Sequence, residues 1–260
     1  MTQRVMLSGG AVETRWIGPP PDRASTLVFL HEGLGAIGMW RDFPDRLAAR
    51  TGMGALVYSR FGYGGSDACA LPRPLGYMHD EAAGPLPELL DAFAVERAVL
   101  FGHSDGGSIA LIHAGDRPHP SLRALALEAA HVFVEDVSVA SIAAAKEAYE
   151  SADLRARLAR HHGDNVDCAF RGWNDAWLDP AFRAWNLEAF LPAIRVPALV
   201  IQGRDDEYGT ARQVDAIAAG MGGRAETLML DACGHSPHRD QPDRVIAAVA
   251  GFLERHAIGG

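Results

Sequence analysis

Six short apolar runs, each ending at glycine or a polar residue, constrain this chain more than any other feature. They cover residues 26–33 (TLVFLHEG), 54–62 (GALVYSRFG), 97–104 (RAVLFGHS), 123–131 (RALALEAAH), 196–203 (VPALVIQG) and 225–235 (AETLMLDACGH). Near-continuous apolar runs of this length suit strands buried on both faces, as in a parallel sheet covered by helices. Between them the spacing predicts amphipathic helices over 40–50, 81–93, 106–115, 211–220 and 240–256. Strand and helix in alternation imply an α/β fold, a mostly parallel central sheet flanked by helices and joined by right-handed crossovers.

The alternation breaks once, over 132–194, where every segment reads as helix and breaks fall at Gly172, Pro180 and Pro192. At 260 residues the chain has room for one large domain with an insertion. The expected organisation is a core built from 1–131 and 195–260, with 132–194 inserted as a helical cap over the carboxyl edge of the sheet, where ligands of such folds bind. The insertion carries Phe170, Trp173, Trp177, Phe182, Trp185 and Phe190. These aromatics either line an apolar pocket, with Trp173, Trp177, Trp185 and the nearby Tyr208 as candidates, or form the core of the cap.

Chemistry enters at one strand-to-helix junction, where Gly102-His103-Ser104-Asp105-Gly106 is the only G-x-S-x-G in the chain. A turn that tight strains the serine backbone, needs glycine on either side for backbone to pass, and lifts the hydroxyl above the sheet. A hydroxyl becomes a useful nucleophile only beside a base. His235 follows the last strand directly, on the same sheet edge, and His238 is the second candidate. His103, His113, His119, His161 and His162 read as packed or surface histidines. An imidazole needs a carboxylate to fix its tautomer. Asp205 and Asp206 end a strand on the same edge and spacing does not separate them, Glu128 ends the preceding strand, and Asp231 closes its own. The oxyanion formed on attack calls for two backbone N–H donors: that of Asp105, at a helix start, and that of Gly33 or, one register on, Leu34.

Composition removes other classes. A net charge of −9 argues against nucleic acid or an anionic membrane as partner, and a single lysine, Lys146, leaves no patch to be built from ammonium groups. Three cysteines (Cys69, Cys168, Cys233) without C-x-x-C spacing fit neither a disulfide framework nor a zinc site, and no metal or other cofactor is implied. No 18-residue apolar run and no signal-peptide core appear, so the expectation is a soluble cytoplasmic protein acting on a small molecule.

Taken together these residues resemble the α/β-hydrolase family over nearly the whole chain. The order Ser104, then Asp205 or Asp206, then His235 is that family's order. Its acid stands three residues after the glycine that ends the strand, which selects Asp206 after Gly203. SRFGYGGSDA resembles the loop after the family's fourth strand, and GHSPHRDQPDRVIAAVAGFL its histidine loop and closing helix. One departure stands out: where the family usually has His-Gly before the oxyanion residue, this chain has His31-Glu32-Gly33. Glu32 is expected to be turned away, paired with an arginine such as Arg60, or used on substrate. The resemblance implies a cofactor-independent serine hydrolase that cleaves a small carboxylic ester through an acyl-enzyme. The same scaffold also serves carbon–carbon bond hydrolysis of ring-fission products, lactone or thioester hydrolysis, and ligand reception with a retained triad.

Overall fold

The computed structural model describes residues 1–259, and its centre is an eight-stranded sheet. The strands are β1 (Gln3–Leu7), β2 (Gly10–Ile17), β3 (Thr26–Leu30), β4 (Gly54–Ser59), β5 (Ala98–His103), β6 (Leu122–Glu128), β7 (Ala198–Gly203) and β8 (Ala225–Leu230). Their order is β1-β2-β4-β3-β5-β6-β7-β8, with β1 antiparallel to β2, β2 antiparallel to β4 and every other pairing parallel. The six apolar runs supply the parallel part. Neither β1 nor β2 was among them, because an antiparallel edge hairpin is wetted on one side and carries no continuous apolar run. The run over 225–235 also differs from expectation: its strand, β8, ends at Leu230, is the opposite edge and is mostly only half-buried.

Side-chain alternation sorts the strands into two cores. Val28 and Leu30 of β3 and Leu100 of β5 face one core, and Leu27, Phe29, Val99 and Phe101 face the other. The second core is closed by α1 (Phe43–Thr51) through Phe43 and Leu47 and by α10 (Pro242–Arg255) through Val245, Val249 and Phe252. The first is closed by α2 (Tyr77–Ala83), α3 (Pro85–Ala92), α4 (Asp105–Gly115) and α8 (Ala211–Gly220). Fully burying an aromatic such as Phe29 or Phe101 contributes about 1.5–3 kcal/mol.

Three helices depart from the sequence reading. The segment expected over 81–93 is two helices split at Gly84, because Pro85 starts the second and cannot continue the first. The segment expected over 240–256 starts at Pro242, preceded by the one-turn α9 (Pro237–Asp240). Helix α4, read as amphipathic, is buried all round from Asp105 to Ala114: it is held between the sheet, α2 and a 3₁₀ turn at Glu188–Ala193.

Between β6 and β7 lie only helices: α5 (Asp136–Ser151), α6 (Leu154–His162), α7 (Val166–Leu178) and 3₁₀ turns at Gly163–Asn165, Pro180–Ala184 and Glu188–Ala193. One isolated bridge, Phe133 to Asn186, is the only β pairing among them. Tyr149 of α5 stacks on Phe170 of α7 with centroids 3.6 Å apart, and Trp177, Phe182 and Trp185 form an aromatic chain. No described helix is long and apolar enough to cross a membrane.

Candidate active site

Ser104 occupies the turn between β5 and α4 with φ 53° and ψ −117°, a left-handed backbone that a non-glycine residue holds at a cost of about 1–3 kcal/mol. Its neighbours show why glycine is required there. A Cβ on Gly102 would fall 2.5 Å from the Gly106 carbonyl oxygen, and one on Gly106 would fall 2.0 Å from that of Leu30.

The structure brings three of the sequence-derived side chains into one relay. His235 Nε2 lies 2.9 Å from Ser104 Oγ, and His235 Nδ1 lies 2.8 Å from Asp206 Oδ1. Asp206 is fixed from three more sides. Its Oδ1 accepts from the N–H groups of Tyr208 (2.8 Å) and Gly209 (3.2 Å), and its Oδ2 from Gln202 Nε2 (3.2 Å). Burial by itself would raise this carboxyl, but the hydrogen bond and charge of His235 and the Tyr208 N–H hold it below the ordinary range. Asp205 takes no part: it is exposed, and its N–H donates to the Cys233 carbonyl, 3.0 Å. Asp231, past the end of β8, pairs with Arg204 at the surface. Gly203 makes the approach possible, since a Cβ there would fall 2.1 Å from the Cys233 oxygen of the histidine loop.

The remaining acid and base candidates pair with one another. His238 Nδ1 lies 2.7 Å from Glu128 Oε2, with both side chains buried. Trp40 and Phe43 pack against the imidazole at 4.7 and 5.4 Å.

Asp105 is the first residue of α4, so its N–H is one of the helix-start donors without an intrahelical acceptor. Its carboxylate is fully buried and accepts from Tyr77 Oη (2.5 Å) and Trp177 Nε1 (3.3 Å), with Arg60 Nη2 at 3.8 Å. The helix that carries Trp177 is thereby tied to the residue after the serine. Gly33 faces the same helix, and a Cβ on it would fall 2.1 Å from Trp173 Nε1.

Glu32 does not pair its carboxylate with Arg60. Arg60 donates instead to the Glu32 carbonyl, 2.9 Å, while Glu32 Oε2 lies 3.4 Å from His103 Nδ1, an ion-pair separation with poor hydrogen-bond alignment. His103 is therefore more than a packed histidine. Its Nε2–H donates to the His235 carbonyl, 2.7 Å, and so steadies the loop that carries His235. Burial by itself would lower His103, but Glu32 outweighs it, with Glu128 adding, and pushes the imidazole up to about 9. His31 behaves oppositely: burial, then Arg60, push it well below its usual value, and the neutral ring donates from Nδ1 to the Glu32 carbonyl and accepts the Arg60 N–H.

A cavity of about 220 Å³ opens over the serine, with Gly33, Ser104, Trp173, Trp177, Tyr208 and His235 in its wall. Trp185 is not in that wall: it packs on Phe182 and Trp177, inside the aromatic core of the helices between β6 and β7. His131 and Ile142 line the cavity and were not expected there, and Glu32, for which a place on substrate was one of three expectations, lines it as well. His131, one ring from His235 at 5.7 Å, is held down by burial and then by His235, and its Nε2–H donates to the Tyr208 carbonyl. No local motif marks His131 in the sequence, and His103 stands in the G-x-S-x-G turn only as its variable position. Among the described residues no group of three His, Cys, Asp or Glu side chains could hold a metal ion.

The model of a family described as the alpha/beta hydrolase family matches residues 27–248. Solved structures share the architecture at low identity. An esterase from Exiguobacterium antarcticum superposes with TM-score 0.78 at 20% identity, covering 98% of this chain and 100% of its own. An enol-lactonase from Burkholderia xenovorans LB400 gives 0.73 at 22%, covering 97% and 100%. A proline iminopeptidase from Mycobacterium smegmatis gives 0.73 at 19%, covering 98% of each. No curated protein sequence matches the chain.

Proposed function

The chain belongs to the alpha/beta hydrolase family, and from that premise we propose that it hydrolyses a small carboxylic ester through an acyl-enzyme on Ser104. The observation that carries the reading is the unbroken relay of Ser104 Oγ, His235 and Asp206, at 2.9 and 2.8 Å, opening into a cavity.

In the proposed cycle Ser104 Oγ attacks the ester carbonyl carbon as His235 Nε2 takes its proton, and Asp206 stabilises the imidazolium through Nδ1–H. Negative charge on the carbonyl oxygen is met by the N–H groups of Gly33 and Asp105, the latter at the positive end of α4. His235 then gives its proton to the departing alkoxide. A water enters, loses a proton to His235 and attacks the acyl carbon; collapse returns the proton to Ser104 and frees the acid. Each proton moves between Ser104, His235, water and the substrate, and the cycle calls on no cofactor. A cavity of about 220 Å³ walled by Trp173, Trp177 and Leu158 suits a short, apolar acyl or aryl group.

In the same reading, residues 132–194 act as the cap and residues 1–131 with 195–260 as the core. Support comes from α7, whose Trp173 and Trp177 touch Gly33 and Asp105, so that a shift of the helix would reshape the cavity and the oxyanion donors together.

The test is turnover of p-nitrophenyl acetate and butyrate, beside a lactone and a vinylogous diketone, by the wild type and by Ser104→Ala. The substitution is expected to lower ester turnover by on the order of 10⁴-fold or more. An unchanged rate overturns the assignment, and preference for the diketone overturns the ester.

A further inference from the structure

Away from the cavity, two cysteines separated by 99 positions meet where α7 rests on the loop after β4. Cys69 Sγ and Cys168 Sγ are 3.0 Å apart, and the contact is reinforced from both sides: the Cys69 N–H donates to Cys168 Sγ and the Cys168 thiol faces the Cys69 carbonyl, each at 3.4 Å. Both residues are half-buried, within reach of a small solute, whereas Cys233 is buried. Arg73 directs Nε (3.2 Å) and Nη2 (3.1 Å) at Cys69 Sγ, donors placed to hold negative charge on that sulfur. Its guanidinium is itself fixed by the Phe61 carbonyl and by the Tyr63 ring, 4.9 Å away.

Two glycines clear the space. A Cβ on Gly62, where φ is +84°, would fall 2.7 Å from Cys69 Sγ and 2.9 Å from Cys168 Sγ. A Cβ on Gly172, one helical turn beyond Cys168, would fall 2.8 Å from Arg73 Nε. Burial first, then the neighbouring Cys69 thiol, push Cys168 up to about 11, so that it enters the second step as a protonated thiol. Burial pushes Cys233 to about 12 and leaves it inert.

We propose that Cys69 and Cys168 are a paired oxidation site: a hydroperoxide oxidises Cys69, and Cys168 resolves it as a disulfide that fastens α7 to the core. The Cys69 thiolate attacks the terminal peroxide oxygen, forming an S–O bond as the O–O bond breaks. The alkoxide takes up the proton that Cys69 released on ionising and leaves as the alcohol, and Cys69 becomes a sulfenic acid. Cys168 sulfur then attacks Cys69 sulfur, the S–O bond breaks, and hydroxide leaves with the Cys168 proton as water. Two thiols lose two electrons in all, and the peroxide gains them. Only about 1 Å separates the present contact from a bonded pair. In a reducing compartment such a bond is transient and reversible. Because α7 carries Trp173 and Trp177, the bond would tie the wall of the cavity to the loop that holds Arg73.

The experiment treats the intact protein with stoichiometric hydrogen peroxide and maps its peptides without reduction. The expected product has lost about 2 Da, joins the peptides of Cys69 and Cys168, and leaves one of the three thiols titratable after denaturation; a thiol reductant restores all three. Amide exchange in α7 is expected to slow several-fold on oxidation. Arg73→Gln should slow the linkage several-fold, Arg73→Lys should restore part of the rate, and Cys168→Ser should leave Cys69 trappable as a sulfenic acid. Three thiols still titratable, oxidation at Cys69 without linkage in the wild type, or a link that involves Cys233 would each overturn the proposal. None of these readouts depends on ester turnover.

Discussion

Two histidine–carboxylate pairs stand a few residues apart at the same edge of the sheet, and their bonds are nearly equal: 2.8 Å for His235 to Asp206 and 2.7 Å for His238 to Glu128. What differs lies beyond the imidazole. His235, with 12% of its side chain exposed, looks past its carboxylate to a serine hydroxyl and a cavity. His238, at 4%, meets Trp40, Phe43 and His103. A hydrogen-bonded dyad is thus not in itself a catalytic device. One pair faces a hydroxyl, as the proposed cycle requires, and the other makes no hydroxyl contact and joins α9 to β6 as a buried polar pair. The carboxylates differ as well: Asp206 receives three further donors, whereas one oxygen of Glu128 has no partner at all.

Substitutions should separate the two. After Ser104→Ala, the largest effect is expected from Asp206→Asn, which frees the His235 tautomer and should lower ester turnover on the order of 10⁴-fold with little change in the denaturation midpoint. Steady-state kinetics and urea unfolding of the same preparation check it, and turnover within tenfold of wild type would mean that the pair is structural after all.

His238→Ala comes next and should invert the pattern. It leaves the Glu128 carboxyl buried and unpaired, a loss of about 3–5 kcal/mol of stability, while the folded fraction keeps turnover within about tenfold. Loss of activity as deep as that of Asp206→Asn would erase the distinction.

The smallest expected effect links the two pairs through His103, which touches both imidazoles and holds the His235 carbonyl. Its folded-state value is raised, to about 9 against an unperturbed value near 6.5, so its contribution is fully present below about pH 6.5 and is lost as pH rises through 9. That difference corresponds to about 3 kcal/mol at most. Glu32→Gln should therefore flatten the fall in unfolding free energy between pH 6.5 and 9, and the His103 ring protons should titrate below 6.5. An unaltered pH dependence in the variant would remove Glu32 as the cause.

Much of this was legible in the chain. The parallel strands were readable because burial on both faces leaves unbroken apolar runs, and the serine turn because its backbone tolerates only glycine at Gly102 and Gly106. The edge strands β1 and β2 were not, since half-wet strands leave no such mark. Residue type nominated Asp205, Asp206, Glu128, Asp231, His235 and His238 without pairing them, and the family's spacing after Gly203 pointed to Asp206; the structure sets Asp206 against His235 and Glu128 against His238, and leaves Asp205 exposed. Residue type and position along a strand do not by themselves say which of two adjacent carboxylates faces an imidazole, because that is set by how the loop after β7 settles against the loop that carries His235.

The one-dimensional pattern therefore determined the layers of the fold and the edge where polar groups gather, because both follow from local periodicity and backbone sterics. Tertiary structure alone decided that Glu32 answers His103 rather than Arg60, that Trp173 and Trp177 reach the cavity while Trp185 stays in the aromatic core, and that Cys69 meets Cys168. Each of those contacts joins segments tens of residues apart, and its geometry is set by how whole helices settle on the sheet.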